Sequence, residues 1–190
     1  MKAFPRRAGP PVAEPLTLAE VLGHLREDAS VSDADVLDLI TVARETCEDR
    51  TERTMLSTPW RLTMDSFPDA FELVQPPIIA VQSVQFVDEA GVLQTLDPAD
   101  YTLDNVSEPG YLVPAYGKEW PATRNQPNAV VVNYTAGYGT LPSSVPSPLR
   151  RWMKLAIADL YQNRGASSEK PKVKHNFVDG LLDPYRMVGI

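Results

Sequence analysis

Asp97, Asp100 and Asp104 bring three carboxylates into one short stretch of the chain. Two of them could serve as the acid and base of a glycoside-type hydrolysis if the fold fixed their separation and raised one pKa, but nothing in their spacing does either. Asp33, Asp35 and Asp38 carry oxygen ligands, yet the loop glycine and closing glutamate of a calcium site are missing, and acids in the first turn of a helix account for them. Gly110 and Gly117-Lys118 lie too far apart for a phosphate loop, and Glu119 stands where the magnesium-binding hydroxyl belongs. Gly137-Tyr138-Gly139-Thr140 lacks the third glycine of a dinucleotide fingerprint, while Pro142 and Pro146 block a helix directly behind it, so this stretch is read as a turn. Ser143 and Ser144 have no nucleophile elbow around them and no histidine nearby in sequence to act as base. Cys47, His24 and His175 are too few for a structural zinc site; Cys47 falls on an apolar helical stripe and is expected in the core, and His24 is expected to be a partly buried polar residue. Trp120, Tyr116 and Tyr138 could form a stacking platform for a carbohydrate or a small hydrolase substrate, against which stands the plainer reading of core and turn packing. No catalytic residue, metal or cofactor is therefore expected.

The elements that would have to position any such site follow from proline placement. Of 18 prolines in 190 residues, none falls between Leu16 and Thr58 or between Leu149 and Lys170, and twelve fall from Pro59 to Pro148. Proline breaks helix interiors and central strands, so the two empty windows can hold long helices and the middle must be short strands joined by turns. Thr17-Leu18-Ala19-Glu20 has capping-box form and opens a helix over residues 17–26. Asp33 and Asp35 open a second over 33–53, with Val36, Ile40, Ala43 and Cys47 at helical spacing. Leu149, Trp152, Met153, Ala156 and Leu160 make one stripe of a third over 148–164, whose other face carries Arg150, Arg151 and Lys154.

Alternation marks a β region over 59–135. Trp60, Leu62 and Met64 alternate with polar neighbours, as do Ile79 and Val81 and, after a change of phase at Gln82-Ser83 that suggests a bulge, Val84 and Phe86. Asp88-Glu89-Ala90-Gly91 reads as a hairpin turn returning through residues 92–96. Shorter strands are expected at 71–74, 101–103 and 111–113, and a stronger one through Val130, Val132 and Tyr134. The fold class is α+β: helices at both ends of the body packed as a small bundle, a central antiparallel β insertion, and an extended C-terminal arm. Residues 1–15 form an N-terminal extension, 16–164 the body and 165–190 the arm.

Eighteen Lys and Arg against 25 Asp and Glu give a net charge of -7, unsuited to gripping nucleic acid over the whole surface. The charge is divided: residues 1–13 carry +3, residues 14–149 carry -14 and residues 150–190 carry +4. Opposite-sign contact between one copy's ends and another copy's body is thus available. The single cysteine excludes an internal disulfide, no apolar run reaches the length of a membrane span, and the first residues lack the apolar stretch of a signal peptide, so a protein kept in a reducing compartment is expected. The arm begins small, polar and basic, with Lys170, Lys172 and Lys174, and then turns apolar with Phe177, Val178, Leu181, Leu182, Tyr185 and Met187. A flexible spacer before a hydrophobic hook suggests a segment that folds onto a neighbour or partner; docking back on its own body is the alternative.

Several short motifs in a fixed order carry a resemblance. They are Leu16-Thr17-Leu18-Ala19-Glu20, the helix with Ala43-Arg44-Glu45, Trp60-Arg61-Leu62, Phe67-Pro68, Pro76-Pro77-Ile78, Gly117-Lys118-Glu119-Trp120-Pro121, Val132-Asn133-Tyr134-Thr135-Ala136-Gly137-Tyr138-Gly139, Leu160-Tyr161-Gln162-Asn163-Arg164 and Leu181-Leu182-Asp183-Pro184-Tyr185-Arg186. Together they resemble the head-tail connector, or adaptor, proteins of tailed bacteriophages and gene-transfer particles, in the long form with a β insertion. Asn163 departs from the acidic residue expected before Arg164, and the first fifteen residues are extra. The resemblance implies a non-enzymatic virion subunit at the head-tail junction, assembled in the host cytoplasm into a ring, twelvefold in such adaptors. That ring would sit between the portal protein and a stopper or tail-completion protein, with DNA passing through the lumen without specific binding and no membrane involved. A stopper one layer further from the capsid is the alternative within the same class. On this reading Lys170, Lys172, Lys174, Phe177, Val178, Leu181, Leu182, Tyr185 and Arg186 are the partner-binding residues.

Overall fold

The structure, a computed structural model, describes residues 3–26, 33–163 and 176–187. The chain is α+β and divides into two compact units, Met1–Val12 with Ser57–Tyr138 and Ala13–Leu56 with Gly139–Ile190.

The first unit is built from eight strands: β1 (Phe4–Arg7), β2 (Thr58–Met64), β3 (Phe71–Leu73), β4 (Ile78–Val87), β5 (Leu93–Thr95), β6 (Tyr101–Asp104), β7 (Gly110–Pro114) and β8 (Val130–Ala136). Every pairing is antiparallel, in a five-stranded sheet of order β1-β2-β8-β4-β5 and a three-stranded sheet of order β3-β7-β6. β8 is central, paired with β2 on one side and β4 on the other, and every second residue along it is buried. Leu62 and Val84 both stand opposite Val132, and Val130, Val132, Tyr134 and Ala136 all point inward. The phase change seen in β4 is real: its register on β8 shifts between Ile78 and Ala80 and again between Val81 and Ser83. At the β4–β5 turn the Gly91 N–H donates to the Asp88 carbonyl at 2.8 Å, and Gly91 holds a φ of 86°, the left-handed region that glycine enters without strain. Both sheets contribute to one core, with Phe71, Leu73 and Leu112 from the smaller sheet joining Trp60, Leu62, Val84, Val132 and Tyr134 from the larger.

One strand lies where an extension was expected. Residues 4–7 pair with β2, Phe4 opposite Thr63 and Arg7 opposite Trp60, and the Arg7 guanidinium lies 5.5 Å from the Trp60 ring centroid. Four residues containing Pro5 show no alternation, so periodicity could not announce this strand. Its edge position is where a proline is tolerated.

The second unit is helical: α1 (Leu18–Leu25), α2 (Asp33–Thr51), α3 (Ser147–Gln162) and the short α4 (Asn176–Gly180). The capping box forms as the sequence predicts. Thr17 Oγ1 accepts from the Glu20 N–H at 3.3 Å, and the Glu20 carboxylate accepts from the Thr17 N–H at 3.0 Å. α2 ends at Thr51, short of residue 53, because Glu52 turns left-handed at φ 54° and the Arg53 N–H returns to the Glu48 carbonyl. Val36, Ile40, Ala43 and Cys47 are buried on α2 as expected. On α3 the buried residues are Leu149, Trp152, Met153 and Ile157, while Leu160, placed on the apolar stripe by its spacing, is 40% exposed in the last turn. α2 packs on α3, and α1 touches both. Among the described residues no helix is long and apolar enough to cross a membrane.

Candidate functional site

Several of the described residues with chemical potential are spent on structure. Asp97 accepts from the Ala99 N–H at 2.9 Å and so caps a 3-10 turn, and Asp100 pairs with Lys118 at 2.9 Å. Asp104 accepts from the Ser107 hydroxyl at 2.7 Å and from the Ser107 and Val106 N–H groups. These bonds, led by that of the Ser107 side chain, hold its carboxyl below the usual range. A carboxylate held ionised in this way is the opposite of the raised-pKa acid a glycosidase needs. Asp33, Asp35 and Asp38 are exposed in the first turns of α2, and among the described residues no group of three or more potential ligands could hold a metal ion. Trp120 stacks on Phe67 with centroids 4.9 Å apart and meets Phe71 edge-on, whereas Tyr116 is fully exposed; Trp120 serves the β unit's own packing.

Cys47 is fully buried, and burial pushes its thiol up to about 12, so it has no thiolate character at neutral pH. His24 is half-buried on α1. Burial, then the nearby Arg151 and Lys154, lower its pKa, so it is neutral at pH 7.

The expected partner-binding residues divide three ways. Lys170, Lys172 and Lys174 lie outside the described residues, as does the side chain of Phe177. Val178, Leu181 and Tyr185 are half-buried and Arg186 is exposed, paired with Asp183 at 3.4 Å. Leu182 is fully buried. The closing segment is clasped to the helical unit of its own chain, the alternative docking that the sequence left open. Asp179 on α4 accepts from Arg50 of α2 at 2.7 Å and from the Trp152 indole N–H of α3 at 3.2 Å, and the Arg50 guanidinium lies 5.2 Å from the Trp152 ring centroid. Further on, Arg53 Nε donates to the Tyr185 carbonyl and the Met187 N–H donates to the Thr51 carbonyl at 3.1 Å. Arg186 is thus presented to solvent by a segment anchored at Leu182.

The same unit contains a buried ionic network that motif reading passed over. Arg44, 3% exposed, pairs with Glu14 at 2.9 Å and with Glu48 at 2.9 Å, and Glu48 Oε1 accepts from the Met55 N–H at 2.9 Å. Burial alone would lower the Arg44 pKa; its hydrogen bond to Glu14 and the charge of Glu48 outweigh it and hold the guanidinium firmly protonated. The network ties residue 14, the middle of α2 and the turn after α2 into one piece. Its only sequence signal was Arg44 and Glu48 four apart on the buried face, a spacing usually found on solvated faces.

Among the described residues this geometry offers folding, clasping and charged surface. The fold has solved counterparts. The chain is similar to one in the neck of an empty gene transfer agent (GTA) particle computed with C6 symmetry: TM-score 0.80, 25% sequence identity, 98% of this chain and 97% of that one covered. It is similar to a chain in the virion of a native GTA particle, with TM-score 0.79 and 25% identity over 98% of this chain and 97% of the other. A third similar chain lies in the neck of a native GTA particle computed with C12 symmetry, TM-score 0.75, 25% identity, 100% and 97% covered. No protein-family model and no curated protein matches the chain.

Proposed function

We propose that this chain is a structural subunit of the neck of a phage-like particle, an adaptor that forms a ring, dodecameric in the fullest form of the reading, between the portal and the tail or stopper. The observation that carries it is the end-to-end likeness to GTA neck chains, which spans both units and both termini and is no match of one common motif. The symmetry of those necks supports a ring, and the commitment of Asp97 to a cap and of Asp100 to Lys118 supports a role without catalysis. The basic arm bearing Lys170, Lys172 and Lys174, followed by the anchored segment ending in Arg186, is the element we assign to the portal. An acidic body suits a lumen through which DNA must slide, because a basic wall would hold phosphates by counterion release.

The test is electron microscopy of particles assembled with and without this chain. Heads that package DNA but carry no tail are expected in its absence, and an unchanged neck would end the proposal. Direct binding to isolated portal separates an adaptor, which binds, from a stopper, which needs the adaptor first.

A further inference from the structure

The buried faces of α2 and α3 leave two outward stripes of opposite charge. On α2, with Val36, Ile40, Ala43, Cys47 and Glu48 turned inward, the residues opposite are Asp38, Val42, Glu45 and Asp49, spaced by four, three and four. All four are exposed, Val42 at 46%. On α3, with Leu149, Trp152, Met153 and Ile157 inward, the opposite face carries Arg151 and Gln162, which are exposed, and Lys154 and Ala158, which are half-buried, spaced by three, four and four. Ser147, Arg150, Arg151 and Lys154 line an open recess at the start of this stripe. The α2 spacing is that of a helix–helix seam, and the α3 spacing follows it through Ala158.

We infer that the acidic stripe of α2 in one copy docks antiparallel on the basic stripe of α3 in a second copy, with Asp49 facing Arg151, Glu45 facing Lys154, Val42 facing Ala158 and Asp38 facing Gln162. The antiparallel register is chosen by chemistry. Run parallel, Val42 would meet Lys154 and both remaining acids would meet uncharged residues; run antiparallel, each cation meets an acid and the one apolar residue meets an alanine small enough to let the helices close. Among the described residues Asp38, Asp49 and Arg151 make no ion pair of their own, Lys154 has only Glu20 at 3.8 Å and Glu45 only Arg44 at 3.4 Å. Complementary charge of this kind fixes register and partner choice more than it adds affinity.

Because α2 and α3 pack on each other through their inward faces, the two stripes look away from each other. Each docking therefore leaves one free stripe at either end of the pair, a heterologous contact that repeats and closes into a ring if the rotation permits. The inference rests on the ring reading above and gives it a residue-level interface.

The experiment uses the full chain with Val42→Cys in one preparation and Ala158→Cys in another, oxidised separately and mixed, near millimolar protein and low salt. Native Cys47 is buried and stays silent. Disulfide-linked heterodimers are expected only from the mixture, and a ladder beyond dimer is expected from the double variant. Absence of the heterodimer would overturn the interface, and a double variant stopping at dimer would overturn its head-to-tail repeat. Adding Arg151→Glu should cut the yield about tenfold and Asp49→Lys on the other partner should restore it; a yield indifferent to both would refute the register. Glu45→Cys with Lys154→Cys is a second pair should either first variant fold poorly by circular dichroism. Failure here with tailless particles still formed in the chain's absence would remove the interface and leave the neck role standing.

Discussion

The two units of this chain are held by different physics. The β unit closes on apolar area: Phe71, Leu73 and Leu112 of the smaller sheet meet Leu62, Val84 and Val132 of the larger, and Phe67, Phe71, Phe86 and Trp120 form a ring cluster with centroids 4.9 to 5.7 Å apart. The helical unit has an apolar stripe too, but Arg44 and Glu48 are buried in it and its closing segment is pinned by Asp179 to Arg50 and Trp152. Apolar contacts are non-directional, whereas a buried ion pair is costly to break, because removing one partner leaves the other charged and without solvent. A unit of the second kind is suited to holding one geometry.

The comparison is broken most severely by removing a fully buried ring from the β unit. Phe71→Ala deletes a 1%-exposed side chain that meets Phe67 and Trp120. It should cost about 3–5 kcal/mol, read from urea denaturation followed by tryptophan fluorescence. Arg44→Met takes the cation away from the buried Glu48 carboxylate and should cost a similar ~3–5 kcal/mol, but with a different signature. Adding Glu48→Leu removes the buried charge but also the acceptor of the Met55 N–H, so it should recover part of that loss and not all of it. No second substitution at a neighbour should rescue Phe71→Ala. If Arg44→Met/Glu48→Leu is no more stable than Arg44→Met, the distinction between the units is wrong.

Leu182→Ala tests the clasp. Complete burial predicts a loss of about 2–4 kcal/mol, confined in hydrogen exchange to the helical unit. A free arm would lose nothing.

Most of the fold was legible in the sequence because its signals are local. Proline exclusion bounded α2 and α3, the Thr17–Glu20 box started α1, and alternation through Trp60, Leu62 and Met64 placed β2 to the residue on its inward face. What stayed hidden was non-local. β1 has no periodicity of its own and exists only because β2 offers an edge; the order β1-β2-β8-β4-β5 brings residue 4 beside residue 63 and residue 84 beside residue 132, which no window of sequence can show. The Arg44 network was hidden for a related reason, since its partner Glu14 lies 30 residues away. For the candidate site, composition separated the basic spacer from the apolar close of the arm, but an apolar segment looks the same whether it will bury in its own chain or in another. Burial of Leu182 is a fact of tertiary structure alone.

The smallest expected effect sharpens the comparison by pH. Both histidines lie outside the residues of the β unit, and the one described, His24, has its pKa lowered first by burial and then by Arg151 and Lys154. Below the ordinary histidine value of 6.5 the unfolded chain therefore takes up a proton that the folded helical unit resists, and stability of that unit falls as pH falls. A second decline belongs to both units. Glu20 is held below its ordinary 4.5 by the Thr17 N–H and then by Arg150, and Asp88 and Asp104 of the β unit are held below 3.8 by hydrogen bonds from Gln94 and Ser107, so the stability they contribute is lost as pH falls through their lowered values. Hydrogen exchange resolved by unit should thus show the helical unit weakening from about pH 6.5 and the β unit unchanged until carboxylates titrate. His24→Gln should remove the first decline and leave the second. A β unit that weakens in step with the helical one at pH 6 would mean that the two unfold together, and the contrast in how they are held would have no thermodynamic expression.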